Sequence, residues 1–208
     1  MTTELIILAA GHSRRFGAQN KQLALFEGEP LIVRTVRRLA CVRGTAGGLG
    51  LTIVTRRADD EVAVMIMGLG LKNVRIIANP RATEGMATSI AAGIASLAPQ
   101  IEAAVITPGD MPFISAALVE RLLAAFCADG GARPTCPVLA GGTQLNPVVW
   151  PRRLFGALTA LTGDTGGKSI LKAESLCRVE VDGDARFADI DTPADLAALQ
   201  GSARPLDK

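Results

Sequence analysis

A short apolar run near the start of the chain ends in a glycine turn that is followed by several cations. The run covers residues 5–9 and is typical of a buried parallel strand. Gly11 and Gly17 allow the backbone to approach an anion and to turn its N–H groups toward it. Arg15 and Lys21 can neutralise the charge of a triphosphate, the arginine through a planar fork and the lysine as a mobile point charge. This combination predicts a phosphate-binding loop.

Two common phosphate-binding motifs do not fit this segment. Gly17 is followed by Ala18, and the lysine comes only at Lys21, so the P-loop pattern G-x-x-x-x-G-K-[ST] is not met. The dinucleotide pattern G-x-G-x-x-G is not met either. Ser13 adds a hydroxyl donor to the loop, and the simpler alternative is a surface loop whose arginines are only solvated. A nucleotide loop of another kind is therefore the hypothesis to develop.

A second candidate site is the aspartate that follows another buried strand. Residues 103–107 form an apolar run, and Pro108-Gly109 forces a turn before Asp110. In open α/β sheets, ligands bind at the carboxyl ends of the strands. A hard divalent cation that bridges triphosphate oxygens prefers carboxylate and water ligands. The alternative role of Asp110, capping the next helix, suits Ser115 better, which leaves Asp110 free for a metal ion.

These segments resemble the signature motifs of the MobA-like nucleotidyltransferases, which add a nucleoside monophosphate to a phosphorylated acceptor. The resemblance rests on L-A-A-G-H-S-R-R-F-G at residues 8–17 with the later lysine, and on Asp110-Met111-Pro112, which is similar to the family's D-x-P motif. Ala10 resembles the molybdenum cofactor cytidylyltransferase (MocA-like) branch, since the guanylyl branch usually has a second glycine there. The implied catalytic residues are Arg15, Lys21 and Asp110. The implied nucleotide-binding residues of the first loop are Leu8, Ala9, Ala10, Gly11, Ser13, Arg15 and Lys21.

A helix start in the middle of the chain adds candidates for the nucleotide site. Asn79-Pro80 opens a loop that leads to G-M-A-T-S at residues 85–89, where a helix rich in small residues begins. A helix N-terminus presents free N–H groups that can hold a polar ligand edge, although an ordinary helix packed tightly on the sheet is the alternative. The segment is similar to the family's second loop near the nucleotide base, which implies that Asn79, Gly85 and Ser89 bind the nucleotide.

Two segments of the second half resemble the family's acceptor side. Asn146-Pro147-Val148 is similar to the acceptor segment of the MocA-like branch, and residues 162–168 resemble the G-D-x-G-A-R loop, with Lys168 where arginine is usual. Lysine keeps the positive charge that a terminal phosphate requires but lacks the bidentate fork. A plain loop that starts a helix is the alternative. The implied acceptor-binding residues are Asn146, Asp164 and Lys168.

The segment before the last helix contains a second candidate metal ligand. Asp189 and Asp191 alternate along the chain, so they point to opposite sides if the segment is extended. The resemblance to the family's D-I-D-T-P motif favours Asp191 as the second Mg²⁺ ligand and leaves Asp189 as the alternative. Thr192 and Asp195 have the spacing of a capping box, which predicts a helix start.

Apolar runs alternate with helical patterns along the chain. Predicted strands cover residues 5–9, 51–55, 74–78, 103–107, 133–138 and 177–181, and predicted helices cover 31–43, 59–67, 84–97 and 115–127. This order predicts an α/β fold, namely a three-layer Rossmann-like, mostly parallel sheet with helices on both faces. We expect one nucleotidyltransferase domain over residues 1–200 and a flexible tail over residues 201–208.

Composition limits the remaining classes of protein. A net charge of +2 on 208 residues calls for neither nucleic acid nor an anionic membrane as a partner. No apolar stretch reaches the ~20 residues of a membrane span, and no signal-peptide pattern occurs, so we expect a cytoplasmic protein. The four cysteines form no C-x-x-C pair and there is one histidine, which argues against a zinc site.

The expected activity is Mg²⁺-dependent nucleotidyl transfer. A terminal phosphate of the acceptor attacks the α-phosphorus of a nucleoside triphosphate, and it needs no general base because it is already ionised near neutral pH. The MocA-like resemblance implies CTP and Mo-molybdopterin as substrates, the cytosine dinucleotide cofactor as the product, and a client molybdoenzyme as a partner. The alternatives are a related nucleotidyltransferase that uses GTP or a sugar-phosphate acceptor, and a molybdopterin chaperone without catalysis.

Overall fold

The computed structural model describes residues 1–11, 16, 20–44, 47–182, 190 and 192–201. Four residues of the predicted site, Ser13, Arg15, Asp189 and Asp191, lie outside the described residues, as do residues 202–208 of the predicted tail. In the part that is described, no helix combines the length and the apolar composition needed to cross a membrane.

The described residues form eleven strands and seven α-helices. The strands are β1 (Thr3–Leu8), β2 (Leu25–Phe26), β3 (Glu29–Pro30), β4 (Arg43–Gly44), β5 (Gly47–Gly48), β6 (Gly50–Thr55), β7 (Val74–Ala78), β8 (Ala103–Pro108), β9 (Thr135–Val138), β10 (Val148–Pro151) and β11 (Cys177–Glu180). The helices are α1 (Leu31–Leu39), α2 (Glu61–Met67), α3 (Met86–Ala95), α4 (Ala116–Ala128), α5 (Phe155–Thr159), α6 (Lys168–Ala173) and α7 (Pro193–Gly201). Short 3₁₀ helices include Lys21–Leu23 and Ala82–Glu84.

Seven of the strands form one sheet in the order β11-β9-β10-β8-β1-β6-β7. Strand β1 lies near the middle and pairs in parallel with β6 and with β8. Only β10 among these strands runs antiparallel to its neighbours, β8 and β9. The prediction of a mostly parallel sheet is confirmed. Strand β1 is largely apolar because helices cover the sheet on both faces and bury it.

Helices cover both faces of the sheet, which gives three layers. On one face, side chains of α1, α2 and α4 pack on the sheet, as Val36, Ile66 and Phe126 illustrate. On the other face, α3, α5 and α6 do so, with Ile90 and Leu158 in the buried cluster. A third, smaller cluster joins five buried side chains that come from distant parts of the chain. Its members are Phe16, Phe26, Leu31, Phe113 and Ile190.

Most predicted elements are present within two residues of their expected bounds, and the differences include α1, β9 and β10. Helix α1 ends at Leu39 rather than at residue 43, because the chain turns at Ala40 into the two-stranded ribbon of β4 and β5. Strand β9 begins at Thr135 rather than at residue 133. Strand β10, which contains the buried Trp150, was not predicted at all.

Two predicted helix caps are confirmed. The Ser115 hydroxyl accepts a hydrogen bond from the Leu118 N–H at 3.2 Å, which caps α4. Before α7, the Thr192 N–H donates to Asp195 Oδ2 at 2.7 Å, and the Asp195 N–H donates to Thr192 Oγ1 at 3.2 Å. This reciprocal pair is a capping box.

Candidate active site

The first loop and the Asp110 turn leave the sheet side by side. Leu8 and Pro108 are paired at the carboxyl ends of β1 and β8, and the Gly109 N–H donates to the Leu8 carbonyl at 2.9 Å. A Cβ atom at Gly109 would lie 2.8 Å from Ile32 Cδ1 and 3.2 Å from the Leu8 oxygen, so only glycine allows this close approach. Of the predicted nucleotide-binding residues that follow β1, Ala9 and Ala10 are buried and Gly11 is exposed.

Two of the predicted catalytic residues contact each other at this edge. Lys21 begins the 3₁₀ helix Lys21–Leu23, whose first turn is capped by the Asn20 side chain. Its Nζ lies 2.8 Å from Asp110 Oδ2, and the two side chains are 9% and 25% exposed. The carboxylate offsets part of the cost of burying the ammonium group. The structure therefore brings together a nearly buried cation and a carboxylate that still reaches solvent.

Gln22 is a site residue that sequence reasoning missed. Its side chain is 5% exposed. Its Oε1 is buried without a hydrogen-bond partner in the part of the chain that is described, and it lies 2.9 Å from the position that a Cβ atom at Gly109 would take. Buried polar atoms are normally paired, so an unpaired acceptor beside Lys21 and Asp110 points to a donor that arrives with a ligand or with water. The sequence alone offered no signal for Gln22, because its significance depends on its burial.

The donor set at Asp110 fits a divalent cation that is bound mainly through substrate oxygens. Among the described residues, no three potential metal-ligating side chains lie together. Asp110 offers one partly exposed carboxylate, and the second predicted ligand, Asp191, lies outside the described residues. Mg²⁺ commonly takes one or two carboxylates and completes its shell with phosphate oxygens and water. The residues present fit such an ion.

Asn79 and Ser89, both predicted to bind nucleotide, are brought together by direct hydrogen bonds. Asn79 is 3% exposed. Its Nδ2 donates to Thr88 Oγ1 at 2.9 Å and to Ser89 Oγ at 3.0 Å, and its Oδ1 accepts from the Arg81 N–H at 3.0 Å. Because these polar atoms are engaged within the protein, Asn79 joins the end of β7 to the first turn of α3. At the rim of this loop, the hydrogen bond from Arg81 lowers the pKa of the Glu84 carboxyl.

The N-terminus of α3 is closed by the loop that precedes α6. The Met86 N–H donates to Asp164 Oδ1 at 3.3 Å, and the Ala87 N–H donates to the Gly163 carbonyl at 3.2 Å. The Thr88 N–H donates to the Gly85 carbonyl at 3.2 Å. The N–H groups that were expected to be free for a ligand are thus engaged within the protein. The same contacts bring Gly85, predicted on the nucleotide side, against Asp164, predicted on the acceptor side.

The remaining acceptor candidates lie on two segments. Lys168 is exposed as the first residue of α6, directly after the loop that contacts α3. Asn146 is partly exposed and is joined to Pro147 by a cis peptide bond. Because β10 is antiparallel, its first residue, Val148, pairs with Ile106 near the carboxyl end of β8, so Asn146 lies at the same sheet edge as Asp110. No hydrogen bond or ion pair described in the structure links Asn146 to Lys168.

A cavity of about 440 Å³ lies beside the start of α4, away from these residues. Its lining includes Ser115, Arg121, Glu180 and Asp182. The Arg121 guanidinium donates to the Glu180 carbonyl at 3.2 Å, so its positive charge is partly engaged. None of the predicted site residues is among the lining residues that the structure describes.

Comparison with known proteins agrees with this geometry. Residues 5–179 match the family model described as the MobA-like NTP transferase domain. A 2-C-methyl-D-erythritol 4-phosphate cytidylyltransferase of Cereibacter sphaeroides strain KD131 is 30% identical over 139 residues, which cover 66% of this chain and 60% of that relative's length.

Two solved mycobacterial structures have the same fold. The Rv0371c homolog from Mycobacterium sp. strain JC1 is 26% identical with a TM-score of 0.76, and the match covers 96% of each chain. Rv0371c of Mycobacterium tuberculosis H37Rv in complex with manganese is 24% identical with a TM-score of 0.73, over 98% of this chain and 100% of that one. The family match runs from β1 through the Lys21–Asp110 pair to β11, and the chain therefore belongs to the family of MobA-like NTP transferase domains.

Proposed function

We propose that the protein is a molybdenum cofactor cytidylyltransferase, which transfers CMP from CTP to Mo-molybdopterin and releases pyrophosphate. The observation that carries the proposal is the direct pairing of Lys21 with Asp110 at the carboxyl ends of two adjacent central strands. Two further observations favour CTP as the donor. The first loop has the L-A-A-G spelling at residues 8–11, and the 30% identical relative is a cytidylyltransferase.

In this proposal an oxygen of the acceptor's terminal phosphate attacks the α-phosphorus of CTP. The new P–O bond forms as the bond to the β-phosphate oxygen breaks, and pyrophosphate leaves with that electron pair. Lys21, which is nearly buried, stabilises the negative charge that grows on the transferred phosphoryl group and on the leaving group. Arg15 acts on the same charge from the first loop. Both cations lower the barrier without having to exchange a proton with the substrate.

Asp110 has two tasks in this proposal. It orients the Lys21 ammonium through the 2.8 Å contact, and together with Asp191 it would hold Mg²⁺. When bound, Mg²⁺ supplies positive charge to the phosphate oxygens and orients the reacting groups. Lys168 and Asn146 bind the acceptor, with Lys168 pairing with its phosphate. The product then passes to a client molybdoenzyme.

A second candidate function is cytidylyl transfer to a phosphorylated sugar alcohol. The specific observation in its favour is the relative named for 2-C-methyl-D-erythritol 4-phosphate. The chemistry at the α-phosphorus is the same in both cases, so the first-loop and Asp110 residues do not separate them. The proposed acceptor residues Lys168 and Asn146 would distinguish the two functions, because a pterin and a short polyol differ in size and shape.

The deciding experiment measures pyrophosphate release with Mg²⁺ and each of CTP, GTP, ATP and UTP. Each nucleotide is combined with Mo-molybdopterin or with 2-C-methyl-D-erythritol 4-phosphate. We expect pyrophosphate release only from the combination of CTP with Mo-molybdopterin. Lys21→Ala and Asp110→Ala should each abolish it. The matched control is Lys72→Ala, which removes an exposed lysine between α2 and β7.

Other outcomes assign the protein differently. Release with the sugar-alcohol phosphate alone makes the second candidate correct. Tight binding of Mo-molybdopterin without release from any nucleotide moves the protein to the class of cofactor chaperones and contradicts the proposal.

A further inference from the structure

Residues 162–167, called the acceptor loop from here on, lie between two fixed surfaces. On one side the loop contacts the first turn of α3 through Asp164 and Gly163. On the other side, a Cβ atom at Gly167 would lie 2.4 Å from the ring of Trp150, so the loop backbone rests directly on the indole. Lys168 follows immediately. The position of this cation therefore depends on how the loop is held.

We propose that Asp164 is a positioning residue that fastens the acceptor loop to α3, rather than a ligand of the acceptor. This inference rests on the proposed function, because it concerns how the acceptor site of that reaction is built. Asp164 Oδ1 accepts the Met86 N–H, and the next residue back, Gly163, accepts the Ala87 N–H. Two successive orphan donors of a ten-residue helix are thus satisfied by two successive residues of the loop.

Close packing at Gly85 supports the fastening independently. Gly85 has a φ of +116°, and a Cβ atom there would lie 2.2 Å from the Gly163 carbonyl carbon and 2.6 Å from the Asp164 nitrogen. The two backbones approach to a distance that no other residue type permits at this position. On the same side, Gly166 lies close to the Met86 side chain.

Charge also favours positioning over ligation. The acceptor's reacting group is a phosphate, and a carboxylate in contact with it would raise its energy by repulsion. The same carboxylate is stabilised where it lies, at the positive end of the α3 dipole. Asp164 is therefore suited to hold the loop that presents Lys168, and Lys168 is suited to meet the phosphate.

One consequence is that hydrogen bonds connect the nucleotide side of the proposed site to its acceptor side. The first turn of α3 is tied through Asn79 to the end of β7, and through Asp164 to the acceptor loop. Changes at Asp164 should therefore alter acceptor binding while leaving the chemistry at the α-phosphorus intact.

The test compares Asp164→Ala with Asp164→Asn in the full chain. The asparagine keeps an oxygen that can accept the Met86 N–H, so it should rescue most of the effect. Asp164→Ala should raise KM for the acceptor about ten-fold, the worth of one charge-assisted hydrogen bond, and change kcat and KM for CTP by less than about two-fold. Asp59→Asn, which changes an exposed aspartate in the loop between β6 and α2, is the matched control.

Two readouts do not require turnover. Amide hydrogen exchange should accelerate at Met86 and Ala87 in Asp164→Ala, and the emission of Trp150, the chain's single tryptophan, should shift as Gly167 moves from the ring. Gly85→Ala should give the same two changes by pushing the loop away. Gly47→Ala, which has a similar positive φ of +122° but open space around it, controls for backbone strain.

The outcomes are distinct. Faster exchange in Asp164→Ala with rescue by Asp164→Asn supports the proposal, whatever the enzyme assay shows. Unchanged exchange at Met86 and Ala87 overturns it, and a raised acceptor KM in that case makes Asp164 a direct ligand. If the wild type releases no pyrophosphate, the proposed function fails, while the exchange and emission measurements still decide whether Asp164 holds the loop.

Discussion

Two ion pairs lie at opposite ends of the central strand β1, and they are built differently. Near the amino end, Glu4 Oε1 accepts from Arg75 Nε at 3.0 Å and from Nη2 at 2.6 Å, and also from the Thr52 hydroxyl. Arg75 Nη2 further donates to Ser96 Oγ at 3.2 Å. This pair therefore belongs to a hydrogen-bonded network that joins β1, β6, β7 and the end of α3.

At the carboxyl end, the Lys21–Asp110 pair lies beside a buried polar side chain, Gln22. Asp110 offers one oxygen to Lys21, and the neighbouring Gln22 Oε1 is buried without a partner among the described residues. Buried polar groups are costly when unpaired, so a protein keeps them unpaired chiefly where a ligand completes the set. From the difference between the two ends we expect that the amino-end pair stabilises the fold and that the carboxyl-end pair takes part in the proposed reaction.

The largest expected effect comes from breaking the carboxyl-end pair. Lys21→Ala should lower pyrophosphate release about 100-fold or more, because it removes a positive charge aimed at the transition state. The free energy of unfolding should fall by about 1 kcal/mol, because the nearly buried Lys21 stem loses its packing while Asp110, 25% exposed, can be solvated. Single-turnover assays and urea unfolding on the same preparation measure both. Parallel losses of activity and stability would show that this pair is structural after all.

Breaking the amino-end pair should have the opposite signature. Arg75→Met should lower the free energy of unfolding by about 2 kcal/mol, because the largely buried Glu4 carboxylate loses its cation, and it should leave kcat unchanged. Arg57→Met breaks the exposed Arg57–Asp59 pair and should leave the free energy of unfolding nearly unchanged. Equal losses of unfolding free energy in Arg75→Met and Arg57→Met would mean that the Glu4–Arg75 pair stabilises the fold no more than an exposed ion pair does.

A third change tests what holds the carboxyl end in place. Phe113 follows Asp110 by one turn and packs edge-on against Phe26, with ring centroids 5.0 Å apart. Phe113→Leu and Phe126→Leu should each cost about 1 kcal/mol of stability. Only Phe113→Leu should also lower kcat, by about ten-fold, because it loosens the turn that carries Asp110. Equal kcat values for the two variants would mean that the small cluster around Phe113 does not position the site.

Features that depend on local spacing could be predicted from the sequence. The Ser115 cap and the Thr192–Asp195 capping box needed only residues within one turn of each other. The strands were found from their apolar runs. Strand β10 was missed because four residues give little pattern, and because its direction is set by β8 and β9 rather than by its own sequence.

The members of the site could also be named, but their contacts could not. Lys21 and Asp110 are in contact because β1 and β8 are neighbours in the sheet. The order of the strands cannot be predicted from the sequence of either segment. For the same reason, the engagement of Asp164 with Met86 was unforeseen. Gln22 required knowledge of burial, since a glutamine after a lysine is unremarkable until its oxygen is found buried without a partner.

The smallest effect at neutral pH is expected for a buried ionisable group that belongs to neither of these ion pairs. Cys136 is fully buried in β9, and desolvation raises the pKa of its thiol from 9.0 to about 11. Near pH 7 the thiol is neutral in the folded and the unfolded chain, so it should contribute no pH dependence. Above pH 9.0 the unfolded chain loses this proton first, so stability should fall until the pH reaches about 11.

Two measurements check this expectation. Iodoacetamide at about pH 8 should modify the exposed Cys41 and leave Cys136 unmodified until the protein unfolds, since the thiolate is the reactive form. In urea unfolding, Cys136→Ala should remove part of the alkaline fall in stability, which is readable because the chain contains no tyrosine. Rapid labelling of Cys136 in the folded protein would contradict this expectation. It would mean that burial does not keep the thiol protonated, and that the sheet opens at β9 more readily than its packing suggests.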